Sequence, residues 1–251
     1  MPCFYINFSP LIKYINIMKL KTWIIVSVFF FGNVFFSAAQ QPKISILGDS
    51  YSTFIKYLSP ETNSSWYGNA NVGMNAQKND VFRVEETWWY QLIERLDGKL
   101  ERNNSYSGST ICHSGYDGRD FSDRSYVSRI YNLGNPDIII VFGGTNDAWS
   151  GAPIGEYQYD KWTKQDLFKF RPAFSYMLYH LKELYPDVRI FNVSNCDISK
   201  DVRSSMDKIC EHYHIVNIQL EKIDKQAGHP SVKGMKMICN QILKKIEQKE
   251  K

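Results

Sequence analysis

The run Asp137–Phe142, DIIIVF, is apolar at every position after its first and leads straight into Gly143-Gly144. A strand with one face in water alternates apolar and polar side chains. A strand without that alternation has to be covered on both faces. A chain built around such a strand needs helices on both sides of a parallel sheet. Four further β-rich runs fit the same plan: Lys43–Leu47 (KISIL), Lys99–Asn103 (KLERN), Val188–Val193 (VRIFNV) and Ile215–Ile218 (IVNI). Helical spacing lies between them. Thr87–Leu96 carries Trp88, Leu92 and Leu96 on one face, and Arg171–Tyr185 carries Phe174, Met177, Leu178, Leu181 and Leu184. Pro172 suits the first turn of the latter and Pro186 closes it. Ser204–Tyr213 and Ser231–Glu247 complete the set. Alternating strand and helix predicts an α/β domain whose ligands bind beyond the carboxyl ends of the strands.

The first 39 residues stand apart. They contain Lys13, Lys19 and Lys21 but no Asp, Glu or Arg. From Met18 they read as a secretory signal peptide: a basic start, the apolar stretch Trp23–Phe36, and small residues Ser37-Ala38-Ala39 before Gln40. The apolar stretch is shorter than the roughly 20 residues of a bilayer span. The expectation is a true start at Met18, cleavage before Gln40, and a single domain over 40–251. That domain would be secreted or periplasmic, without stable membrane insertion. The net charge of +4 derives largely from the leader lysines. No Lys/Arg stripe remains to bind nucleic acid. Cys112, Cys196, Cys210 and Cys239 remain, and three disulfide pairings or free thiols are all open. Cys210-x-His212-x-His214 has a metal-like composition but matches no standard zinc spacing, so no metal is expected.

Four loop segments carry candidate chemistry. Gly48-Asp49-Ser50 follows the first strand and places Ser50 at its carboxyl end, with a helical turn expected over Thr53–Leu58. Gly108, in Asn104–Ser109, follows the second strand and can present a bare backbone N–H. Gly143-Gly144-Thr145-Asn146-Asp147 follows the third, and Asn146 offers an amide donor to an oxyanion. Gly228-His229-Pro230-Ser231 precedes the last helix, where His229 could accept a serine proton. Each segment also has an ordinary reading as a turn or helix cap.

Taken in order, Gly-Asp-Ser, Gly108, Gly-x-Asn-Asp and His-Pro resemble the GDSL or SGNH hydrolase family over nearly all of residues 43–245. The resemblance implies a three-layer α/β/α sandwich with a five-stranded parallel sheet, the flavodoxin-like SGNH hydrolase fold. It implies Ser50 as nucleophile, His229 as general base and then acid, and an oxyanion hole from the Ser50 N–H, the Gly108 N–H and the Asn146 side chain. No metal or organic cofactor is called for.

The chain departs from the family pattern beside the histidine. Gln226 stands where the family usually has the Asp that orients the imidazole, and the nearest upstream carboxylate is Asp224. Either Asp224 reaches His229 through a rearranged loop, or Gln226 or a backbone carbonyl orients a Ser–His dyad, or the site is impaired. Two long loops, 59–86 and 143–170, carry aromatic residues, and Trp66, Tyr67 and Trp149 are either candidate substrate-binding residues or rings that pin the loops to the domain. Rings among polar neighbours suit an acylated carbohydrate, which makes a small-molecule or glycan ester the expected substrate. A lipid esterase or thioesterase of the same fold, or an impaired carbohydrate-binding protein, are the alternatives.

Overall fold

The computed structural model describes residues 40–68 and 78–249. The expected leader, 1–39, lies outside the described residues. Five strands form one parallel sheet: β1 (Lys43–Gly48), β2 (Lys99–Asn103), β3 (Ile138–Gly143), β4 (Arg189–Ser194) and β5 (Val216–Gln219). Their order is β2-β1-β3-β4-β5. A two-stranded antiparallel hairpin, β6 (Lys225–Gln226) and β7 (His229–Pro230), stands apart from that sheet. The helices are α1 (Trp88–Arg95), α2 (Tyr126–Arg129), α3 (Thr145–Ser150), α4 (Phe170–Leu184), α5 (Lys200–His212) and α6 (Val232–Lys249).

The central strand behaves as its composition requires. Ile138, Ile140 and Phe142 enter one core with Trp88, Trp89 and Leu92 of α1 and Met235, Ile238 and Ile242 of α6. Ile139 and Val141 enter a second core with Phe174, Met177 and Leu181 of α4 and Met206 and Ile209 of α5. Strand β3 is therefore buried on both faces, and the three layers follow from it. Fully burying one such side chain is worth about 1.5–3 kcal/mol.

Helix boundaries follow local chemistry. The Thr87 hydroxyl accepts from Tyr90 N to open α1, and Ser231 Oγ accepts from Gly234 N to open α6. Helix α5 begins earlier than the apolar spacing implied. Ser199 caps it by accepting from Val202 N, and Val202 is buried. The helical turn expected over Thr53–Leu58 is a tight turn instead, closed by Tyr57 N donating to the Phe54 carbonyl at 3.1 Å with Lys56 at φ +68°. The helical backbone is a 3-10 turn at Ser50–Ser52, capped by Asp49, and the chain is extended at Thr53. Chain order reverses between β1 and β3, which is where an open α/β sheet of this order presents its binding crevice.

Candidate active site

The nucleophile turn, the second and third βα loops and the β6–β7 hairpin meet at the carboxyl ends of β1 and β3. Ser50 Oγ donates to His229 Nε2 at 2.9 Å. His229 Nδ1 faces the Ala227 carbonyl at 3.3 Å. This pair of contacts places the ring proton on Nδ1 and leaves Nε2 free to accept from the serine. The carbonyl is in reach because Ala227 and Gly228 both take positive φ, +51° and +76°. They form the two-residue turn of a tight hairpin that pairs Gln226 with His229. Burial is the main cause that pushes the His229 pKa down to about 4, and the nearby Lys225 charge pushes the same way. The imidazole is neutral, as a base must be.

The expectation that Asp224 serves His229 is corrected. The Asp224 carboxylate accepts from Ser231 Oγ at the start of α6, which turns it to the helix entry. Gln226 does not orient the histidine either. Its amide donates to Asp80 at 3.2 Å, and Asp80 also accepts from Val232 N at 2.8 Å. No side-chain carboxylate accepts from His229 among the described residues.

The oxyanion side is assembled by contacts that motif reading did not show. Gly108 sits at φ +79° with open space where a Cβ would be, so its N–H can meet a ligand at close range. The Asn146 amide lies against the same loop, donating to the Ser109 carbonyl at 2.9 Å. Its carbonyl accepts from the Tyr116 hydroxyl at 2.7 Å, which fixes the amide so that nitrogen faces the loop. Asp147 accepts from Ile111 N at 2.8 Å and Cys112 N at 3.1 Å, pinning the loop to α3. The buried Arg129 guanidinium donates to the Gly48 carbonyl, the Asn104 carbonyl and Ser109 Oγ. It ties the end of β1 to the Gly108 loop. Burial lowers its pKa only to about 10, so the clamp stays charged at neutral pH.

Of the three candidate substrate-binding aromatics, two are placed elsewhere. Trp66 and Tyr67 are buried, at 8% and 2% exposure. The Tyr67 hydroxyl donates to the Pro230 carbonyl at 2.8 Å, and Trp66 stacks on His229 at 3.7 Å between ring centres, 8° from parallel. Both back the histidine and neither faces substrate. Trp149 is 45% exposed and meets Tyr51 edge to face. It stands on α3 with Asn146, at the rim. Asn79 also supports the hairpin, donating to the Gln226, His229 and Pro230 carbonyls at 3.1–3.4 Å. The four cysteines of the described residues are free thiols. His212 stacks on Tyr159 at 3.8 Å rather than facing Cys210, which is buried in the second core.

A paired hydroxyl and neutral imidazole beside the Gly108 loop and the Asn146 amide can carry out acyl transfer. Residues 42–246 match the family model for GDSL-like lipase/acylhydrolase. The chain is similar to a solved protein from Bacteroides uniformis named as a putative GDSL-like lipase. Identity is 58% and the TM-score 0.82, over 84% of this chain and 98% of that one. A protein of the same description from Bacteroides ovatus is 47% identical, with a TM-score of 0.79 over 84% and 100% of the two chains. A family two carbohydrate esterase from Clostridium thermocellum shares the fold at 15% identity. Its TM-score is 0.56, over 84% of this chain and 64% of that one. Among curated proteins nothing matches. The chain belongs to the GDSL-like lipase/acylhydrolase family.

Proposed function

We propose that this hydrolase removes O-acetyl or other short acyl groups from carbohydrates, acting outside the cytoplasm once its leader is cleaved. Ser50 Oγ bonds to the ester carbonyl carbon as its proton passes to His229 Nε2. The carbonyl π pair moves onto oxygen, which the Ser50 and Gly108 N–H groups and the Asn146 amide receive. The tetrahedral centre then collapses. The alkoxide leaves with the His229 proton, and the acyl group stays on Ser50. Water, deprotonated by His229, repeats the sequence and releases the acid. No step calls for a metal or an organic cofactor.

The observation that carries this reading is the 2.9 Å hydrogen bond from Ser50 Oγ to a neutral His229 held by a main-chain carbonyl. The sugar is supported by the rim. Trp149 presents an open face one helical turn from Asn146, flanked by polar loop residues. The names of the Bacteroides relatives favour a lipid ester instead. The deciding measurement is hydrolysis by residues 40–251 of a short aryl acetate, an acetylated oligosaccharide and a long-chain aryl ester, with Ser50→Ala alongside. Turnover of the first two that is lost in Ser50→Ala supports the proposal. Preference for the long chain moves the substrate to lipid. No turnover and no labelling of Ser50 by a serine-directed phosphonate would favour a carbohydrate-binding protein.

A further inference from the structure

A Ser–His pair oriented by a carbonyl lacks one thing a triad has, a charge to stabilise the imidazolium. The surroundings of His229 supply few groups for that task. Ser50 and Tyr51 face it from the nucleophile turn, Trp66 and Tyr67 from the following loop, and Lys225 and Ala227 from its own hairpin. Lys225 opposes a positive ring, although its ammonium is paired with Asp197 at 2.5 Å. Asp49, buried beside Ser50, accepts from Tyr51 N. Asp80 and Asp224 are engaged with Gln226, Val232 and Ser231.

What remains is the indole of Trp66. It lies parallel to the imidazole at 3.7 Å, almost fully out of water. The face of an indole carries negative potential and attracts a cation far more than a neutral ring, most strongly where water is excluded. The stack is also registered to the nucleophile. Trp66 N donates to Thr53 Oγ1 at 2.9 Å, and Thr53 Oγ1 donates to the Ser50 carbonyl at 3.0 Å. One short chain of contacts therefore sets both where the indole lies and where the serine lies.

We propose that Trp66 is a positioning residue whose indole face stabilises the His229 imidazolium formed during the reaction, in the place a third carboxylate would occupy. The proposal rests on His229 being the base. The stack holds the ring in plane for Ser50 and favours the charged ring over the neutral one. Its contribution thus falls on kcat more than on KM.

Fluorinated tryptophans test it without changing shape, because successive fluorines drain the indole face of negative potential while the stack stays packed. The protein is produced with such a series, and the His229 pKa is followed by NMR together with kcat on an aryl acetate. The expected result is a stepwise fall in the His229 pKa and a fall in kcat of about tenfold across the series, with KM little changed. Trp66→Phe made in the same series loses the dependence, which assigns it to this indole and not to Trp88, Trp89, Trp149 or Trp162. A His229 pKa that ignores fluorination, or a dependence that survives Trp66→Phe, overturns the proposal. A pKa that falls stepwise in a protein without esterase activity upholds the stack and counts against the catalytic reading instead.

Discussion

The Tyr51 hydroxyl donates to the Gly228 carbonyl at 2.9 Å, joining the residue after the nucleophile to the residue before the base across 177 positions of sequence. The Tyr51 ring lies edge-on to His229 at 5.3 Å and to Phe142 at 5.9 Å. Its backbone carbonyl accepts from Trp88 Nε1. Tyr51 is thus a brace between two halves of the site that come from distant parts of the chain.

Tyr51→Phe keeps the ring and removes the brace. A single hydrogen bond is worth about 1 kcal/mol, so the fold should survive with a small drop in melting temperature. Loosening the hairpin relative to Ser50 should lower kcat about three- to tenfold. Steady-state kinetics beside a thermal melt separate the two. An unchanged kcat would mean that the hairpin keeps its place without the bond.

Tyr116 fixes which end of the Asn146 amide faces the Gly108 loop. Tyr116→Phe should lower kcat several-fold with little effect on KM, because the amide is then free to turn. Asn146→Ala should cost about 10²–10³ in kcat. If Tyr116→Phe costs as much as Asn146→Ala, the phenol itself contacts the reacting ester.

Asp224→Asn should leave kcat within about threefold of the parent, against the roughly 10⁴ lost when a triad Asp is neutralised. The carboxylate accepts from Ser231 at the head of α6, so the change should register in stability. Kinetics and a denaturant melt on one preparation decide it. A rate loss above a hundredfold would restore Asp224 to the catalytic group.

His229 is pushed down to about 4 by burial. Only the neutral ring accepts the serine proton, so kcat/KM should hold steady as pH falls below 6 and drop only near pH 4. A pH profile with an acid limb near the ordinary histidine value would show that the ring is solvated in the working enzyme.

Asp49 gives a prediction about stability. Its carboxyl is pushed up to about 7, chiefly by burial, and its Oδ2 has no partner. Between the ordinary value of 3.8 and about 7 the folded protein holds a proton that the unfolded chain has released. Stability from this group is therefore present at low pH and lost as pH rises through that window. Asp49→Asn should lessen the fall in melting temperature between pH about 4 and about 7. Asp147, raised to about 6, keeps part of it. Parallel slopes for parent and variant would show that Asp49 is ionised throughout.

The layers were legible because their determinants are local. Residues 138–142 carry enough apolar surface in succession to demand cover on both faces, and the observed strands begin within one residue of the runs that announced them. Ser50, Gly108, Asn146 and His229 were legible as a group because the first three each follow a strand within a few residues and the fourth stands just before the last helix. What escaped is long-range. Arg129 looks like a surface residue at the end of a short helix until Gly48, Asn104 and Ser109 close around it. Tyr116 carries no motif. Trp66 and Tyr67 sit in a segment whose composition promises an open loop, and only the arrival of the hairpin buries them. Asp224 was attractive by proximity in sequence, but Ser231 competes for it at shorter range.

The group that orients His229 belongs to the main chain, so truncating a side chain cannot remove it. A triad carboxylate can be deleted by one codon change. The Ala227 carbonyl is present whatever residue is encoded there, provided the turn keeps its left-handed pair at 227 and 228. It cannot be protonated in acid. The vulnerability moves from side-chain identity to loop length. Inserting or deleting one residue in the hairpin would swing the carbonyl away from Nδ1 and should slow the site far more than replacing the Ala227 side chain.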